Sequence, residues 1–128
     1  MKKVAVIEGG YTKEKAISIK SAKTVFDNLD RAKFYPTRVL IDENEWTAYD
    51  EDGRYSIDKN DFSFIKNGTK LNFDYAFIVI HGTPGEDGKL QGYLDMVGVT
   101  YNTSSAAITA LTFQKFHCNQ FLKNFGIN

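Results

Sequence analysis

"VAVIEGGYTKEKAISIKSA", residues 4–22, decides the fold class of this chain. Val4-Ala5-Val6-Ile7 is apolar without alternation, which suits a parallel strand covered on both faces. Gly9-Gly10 turns the chain, Thr12 is placed as an N-cap, and the pattern predicts a helix from about residue 13. Ile19, Ala22, Val25, Phe26 and Leu29 then recur at intervals of three and four, which puts them on one buried face. A strand, a glycine turn and an amphipathic helix in that order open an α/β unit.

Downstream the alternation continues. Pro36 bars further helix, and Val39-Leu40-Ile41 reads as a second strand. Residues 42–72 differ in character: Asp52-Gly53 between β-prone flanks and a later Asn-Gly pair predict a small antiparallel excursion. Tyr75 to Ile80 is a strongly apolar strand. Leu90, Tyr93, Leu94 and Val97 suit a short helix closed by Gly98. Val99 to Tyr101 reads as a brief strand and Ala106 to Leu111 as one or two helical turns. A last helix is expected from about Thr112 to Phe125, with Cys118, Phe121, Leu122 and Phe125 on one side and Gly126 as its cap. The expected fold is α/β: an open, mostly parallel, Rossmann-like sheet flanked by helices, with a small β-hairpin insertion.

The bulk properties exclude several classes. The 128 residues fit one compact domain, and 16 acids balance 16 bases, so neither a nucleic-acid nor a membrane-surface binder is indicated. No apolar stretch has the length of a bilayer span, and Val4 to Ile7 is too short for a signal-peptide core. Cys118 has no second cysteine to pair with, and no Cys/His cluster has zinc spacing, so no metal site is assigned. A soluble, cytoplasmic protein is expected.

In open α/β sheets, ligands bind outside the carboxyl ends of the strands. That rule selects two stretches, "EGGYTKEKAIS" (8–18) and "HGTPGEDG" (81–88), and predicts that they converge. The first is neither a dinucleotide fingerprint nor a phosphate loop, because it lacks both glycine spacings. It offers an acid, Glu14, in the first turn of a helix, with Ser18 one turn on. An acid there also complements the helix dipole, so a purely structural role stands beside a binding one. His81 ends a strand, where histidines are often only hydrogen-bonded, but Gly82 behind it leaves room for a ligand to approach the backbone. Gly85 and Gly88 permit a tight loop, and Glu86-Asp87 read as capping and loop bracing rather than catalysis. His117 and Cys118 are adjacent on a helix and face different sides, so both read as structural. Lys115 reads, on residue type alone, as a solvated helix lysine.

"HGTPGEDGKLQG", residues 81–92, has the pattern His-Gly-x-x-Gly-Glu-Asp-Gly-x-Leu-Gln-Gly, which resembles the N-terminal signature of D-alanine–D-alanine ligases. "VIEGGYTKEKAIS" is similar to that family's opening strand, double glycine and glutamate-bearing helix. "VTYNTSSAAITALTFQKF" resembles its stretch leading to the central domain, and the likeness weakens over 42–72. The resemblance implies a pre-ATP-grasp fold, with residues 1–128 as the N-terminal substrate domain of a three-domain ligase. That enzyme joins two D-alanines for peptidoglycan through an acyl phosphate, using ATP and magnesium.

Carried over by position, Glu14 matches the acid that holds the first D-alanine's ammonium, and Ser18 the serine one turn later. His81 matches the histidine beside that substrate, Gly82 its close-approach neighbour, and Lys115 a lysine reaching ATP phosphate. Phe113-Gln114 stand where Met-Asp is usual, Ala16 replaces a frequent second acid, and Asn128 a frequent proline. No catalytic residue is assigned within the chain, which is expected to fold but to be inactive alone. The family's ATP lid, magnesium carboxylates and selection of the second substrate lie beyond it. The resemblance also implies a homodimer, with an exposed apolar patch expected on the terminal or hairpin region. The rival readings are another carboxylate–amine ligase with the same fold, or a stand-alone small-molecule binding module.

Overall fold

The computed structural model describes residues 1–113, 120 and 122–126. A six-stranded sheet runs in the order β4-β3-β2-β1-β7-β8. Its parallel centre is β1 (Lys2–Gly9), β2 (Phe34–Ile41), β7 (Tyr75–Ile78) and β8 (Thr100–Tyr101). The apolar run at 4–7 is indeed covered on both faces. Val4 and Val6 pack under α1 (Lys15–Asn28) with Ala22, Val25, Phe26 and Leu29. Ala5 and Ile7 face the other way, with Val39, Ile41 and the Leu90 and Leu94 side chains of α2 (Lys89–Val97). Gly98 closes α2 in the left-handed conformation, donating its N–H to Asp95 and Leu94 carbonyls, as the sequence predicts.

The region 42–72 forms the expected antiparallel excursion, with turns at Asp52-Gly53 and Asn67-Gly68. It forms two hairpins with different roles. β3 (Trp46–Asp50) and β4 (Gly53–Ser56), joined at the predicted Asp52-Gly53 turn, extend the main sheet antiparallel to β2. β5 (Phe64–Lys66) and β6 (Thr69–Leu71) form a separate two-stranded sheet. Phe62, Phe64 and Phe73 from this second segment are buried in the α2-side core. Burial of those three rings is what pulls the segment onto the domain.

Four boundaries also differ. α1 starts at Lys15, not residue 13: Glu14 rather than Thr12 is its N-cap, and a separate turn precedes the helix. β2 starts at Phe34 and runs through Pro36. The adjacent β3 pairs only from Arg38 onward, so at Pro36 β2 is an edge strand, where a missing N–H is tolerated. β7 ends at Ile78, although Val79 N–H still donates to Ile7 O at 2.9 Å. The expected break between 111 and 112 is absent: α3 (Ala106–Phe113) continues through Thr112, whose hydroxyl donates back to Ile108 O at 2.9 Å. Of the side expected for the last helix, Cys118 and Phe121 lie outside the described residues, as do Lys115 and His117, while Leu122 is half-buried and Phe125 is exposed. Among the described residues no helix is long and apolar enough to cross a membrane.

Candidate functional site

The two selected stretches do converge at the carboxyl edge of the sheet. Tyr11 N–H donates to Thr83 O at 3.0 Å, and Thr12 Oγ1 donates to His81 O at 3.1 Å. A third wall comes from the end of β2, where Ile41 O accepts from Gly10 N–H at 2.8 Å. The contact between loops is side-chain deep. Gly82 has φ +81°, and a Cβ there would lie 2.6 Å from Thr12 Cγ2, so only glycine fits. The room expected beside Gly82 for a ligand is therefore filled, on its Cβ side, by the Thr12 methyl.

Glu14 occupies the N-cap position of α1 and is exposed. Its carboxylate caps nothing within the helix and has no hydrogen-bond partner among the described residues. Its backbone N–H donates to Thr12 Oγ1 at 3.3 Å. Ser18 is different. It is fully buried, accepts from Gly9 N–H at 2.9 Å and donates to Val79 O at 2.6 Å. Ser18 thus fastens the ends of β1 and β7 under the helix, a bracing duty that residue type alone does not reveal.

His81 is partly exposed, with Nδ1 3.9 Å from Glu86 Oε1. Its Nε2 is buried with no partner among the described residues. The signature's other polar residues brace the loop, as read for its acids. Asp87 accepts from Lys89 N–H at 3.3 Å at the start of α2. Gln91, quoted in the signature without a role, is fully buried and donates to Gly85 O at 2.7 Å and Thr103 Oγ1 at 2.9 Å. A glutamine at a helix-face position three residues after a glycine loop is the signal that could have marked it as a staple.

Beside α1, Lys15 pairs with Asp42 at 3.2 Å. The N–H groups of Asn44 and Glu45, and then Lys15, hold the Asp42 carboxyl below the usual range. Lys15, Asp42, Glu43, Asn44 and the 10–12 loop line a cavity of about 230 Å³. A cavity of about 750 Å³ lies elsewhere, between Phe26 of α1 and Tyr49 of β3. Converging polar groups, rather than volume, argue for the carboxyl edge.

One polar cluster escaped the sequence reading. Glu8, 1% exposed, accepts from Arg38 Nε at 2.9 Å and Nη2 at 2.7 Å, and from the Tyr49 hydroxyl. Arg38 Nη2 also donates to Ile19 O of α1 at 3.0 Å. Burial, and then the bond to Glu8, push the Tyr49 hydroxyl well above its ordinary range. Only the strand register, which pairs Glu8 with Leu40 and Arg38 with Tyr49, brings these residues onto one face. Among the described residues no group of three or more His, Cys, Asp or Glu side chains could hold a metal. Lys115, the residue matched to ATP, is not described, so neither magnesium nor ATP has a described ligand set here.

Fold and loops together define an open α/β domain whose two glycine-bearing loops meet at the carboxyl edge of its parallel strands. Residues 3–104 match the family model "D-ala D-ala ligase N-terminus", and the chain belongs to that family. It is 50% identical over 125 residues to the D-alanine–D-alanine ligase of Porphyromonas gingivalis, covering 97% of this chain and 38% of that protein. The VanG D-Ala:D-Ser ligase of Enterococcus faecalis superposes with a TM-score of 0.84 at 27% identity, covering 99% of this chain and 43% of that one. The D-alanine–D-alanine ligase of Bacillus anthracis complexed with ATP superposes at 0.70 with 28% identity, over 98% and 37%. The chain spans about 40% of the length of the curated relatives it matches.

Proposed function

We propose that this chain is the N-terminal substrate domain of a cytoplasmic ligase that joins two D-alanines for peptidoglycan, and that its own task is to hold the first D-alanine. The observation that carries this reading is the Glu14 carboxylate, which has no partner among the described residues and is held two residues from the Thr12–His81 contact that joins the two carboxyl-edge loops. An ionised carboxylate there grips an ammonium by a charge-assisted hydrogen bond and keeps that amine away from the reacting carboxyl group. The α1 N-terminus lies beside the same loops, and the positive end of its dipole favours negative charge developing on the substrate carboxyl. His81, partly exposed beside the same loops, is the second polar contact, and Gly82 carries the loop beside it. Ser18 contributes indirectly by holding the floor of the site. ATP and magnesium belong to the same reading, with Lys115 as the chain's contribution to the nucleotide. The ATP-complexed neighbour supports the nucleotide.

The same fold carries ligases described for D-Ala–D-Ala and for D-Ala:D-Ser. The site assigned here is accordingly that of the first D-alanine, which both share. The reading extends to a homodimer, in which the exposed Ile108 and Phe113 of the uncharged helix α3 contribute to the contact. Sedimentation of the full-length ligase should give a dimer at micromolar concentration. A monomer throughout that range removes the homodimer from the proposal.

Glu14→Gln in the full-length ligase is the deciding experiment. Glutamine keeps the shape and loses the charge, and a hydrogen bond to a charged group contributes roughly 1.5–3 kcal/mol. The KM for the first D-alanine should rise about ten- to a hundredfold, since 1.4 kcal/mol is a factor of ten, with the KM for ATP nearly unchanged. Unchanged D-alanine kinetics would reduce Glu14 to a helix-terminal acid.

A further inference from the structure

We infer that Thr12 is a positioning residue that sets the spacing between Glu14 and His81. The inference rests on the substrate site proposed above but concerns a residue with no role in it so far. A single oxygen makes the link: Thr12 Oγ1 donates to His81 O at 3.1 Å and accepts from Glu14 N–H at 3.3 Å. The backbones of the two proposed substrate contacts are thus bridged through one hydroxyl. The Thr12 methyl supplies the other half of the device. It sits where Gly82 lacks a Cβ, 2.6 Å from the position that atom would take. Below it, Tyr11 N–H donates to Thr83 O at 3.0 Å, so the loops are zipped over consecutive residues and end at Thr12.

Hydroxyl and methyl do different jobs, and so they are separable. Valine keeps both branches of the threonine shape but cannot bridge. Serine bridges but leaves the space beside Gly82 open. Alanine at Gly82 drives a Cβ into the Thr12 methyl and is strained in addition by the positive φ.

The test uses the full-length ligase carrying Thr12→Val, Thr12→Ser, Gly82→Ala, or Thr12→Ser with Gly82→Ala. KM for the first D-alanine, KM for ATP and melting temperature are measured for each. Thr12→Val should raise the D-alanine KM about tenfold and leave the ATP KM unchanged, while Thr12→Ser stays within about twofold of the parent. Gly82→Ala should also raise the D-alanine KM about tenfold or more. Combining it with Thr12→Ser should recover at least about half of that loss on a logarithmic scale, together with part of the melting temperature, which is a non-additive result. A D-alanine KM for Thr12→Val equal to the parent's would overturn the inference. So would a double variant no better than Gly82→Ala. Glu14→Gln measured alongside separates the two claims. If it leaves the D-alanine KM unchanged while Thr12→Val raises it, the assignment of Glu14 fails, and with it the spacing role of Thr12, which then positions His81 alone.

Discussion

Two glutamates lie six residues apart at the carboxyl end of β1 and meet opposite fates. Glu8 is buried and bonded on both oxygens, to Arg38 and to Tyr49. Glu14 is exposed, and its carboxylate has no partner among the described residues. A buried charge must be paired, because the cost of desolvating it alone exceeds what a marginally stable domain can absorb. An exposed charge at a loop junction carries no such debt and is free to meet a ligand. Residue type is identical in the two cases, and environment alone decides which carboxylate is paired within the described fold.

Breaking the buried side of this comparison has the largest expected effect. Arg38→Leu strands Glu8 in the sheet and frees Ile19 O, and should cost about 3–5 kcal/mol, a melting-temperature drop of roughly ten degrees or more. Replacing the whole cluster, with Glu8→Leu, Arg38→Leu and Tyr49→Phe together, should restore most of that loss. A triple variant as unstable as Arg38→Leu alone would mean that the ions stabilise the fold by themselves. The exposed side comes next. Glu14→Gln should show its ten- to hundredfold effect in D-alanine KM with a stability change within about 0.5 kcal/mol. A matching loss of stability would put Glu14 in the same class as Glu8.

Tyr49→Phe has the smallest effect, about 1.5 kcal/mol near neutral pH, from one hydrogen bond to a charged group. Its pH dependence sharpens the assignment. The folded state holds the Tyr49 hydroxyl above its unfolded value of about 10. The phenol's stabilisation is therefore complete below pH ~10 and is lost as pH rises from there toward the folded value. Tyr93, pushed up to about 12 by burial and then by Asp61 and Asp58, acts in the same direction. Urea titrations across pH 9–12 should show a shallower alkaline loss for Tyr49→Phe than for the parent. Equal slopes would remove Tyr49 from the Glu8 cluster.

Much of the molecule was written locally. The unbroken apolar run at 4–7, the helix stripe through Ala22 and the Gly98 cap each rest on neighbours within a turn or a strand, and each formed where expected. So did the Asp52-Gly53 turn and the meeting of the two loops, the latter because parallel strands must leave their carboxyl ends side by side. What the sequence left open depended on partners far away in the chain. Pro36 could lie in a strand only because the pairing of β3 with β2 reaches no further back than Arg38, two residues later. Ser18 became a brace because Gly9 and Val79 end beneath it, and Gln91 a staple because Gly85 and Thr103 meet over it. Whether a polar side chain is a ligand group or a structural one depends on what remains unsatisfied after packing. Residue order fixes which groups are available, and the tertiary register alone decides which of them find partners. Glu8 found Arg38 across thirty residues; Glu14 found none among the described residues, and the physical case for a substrate at its side begins there.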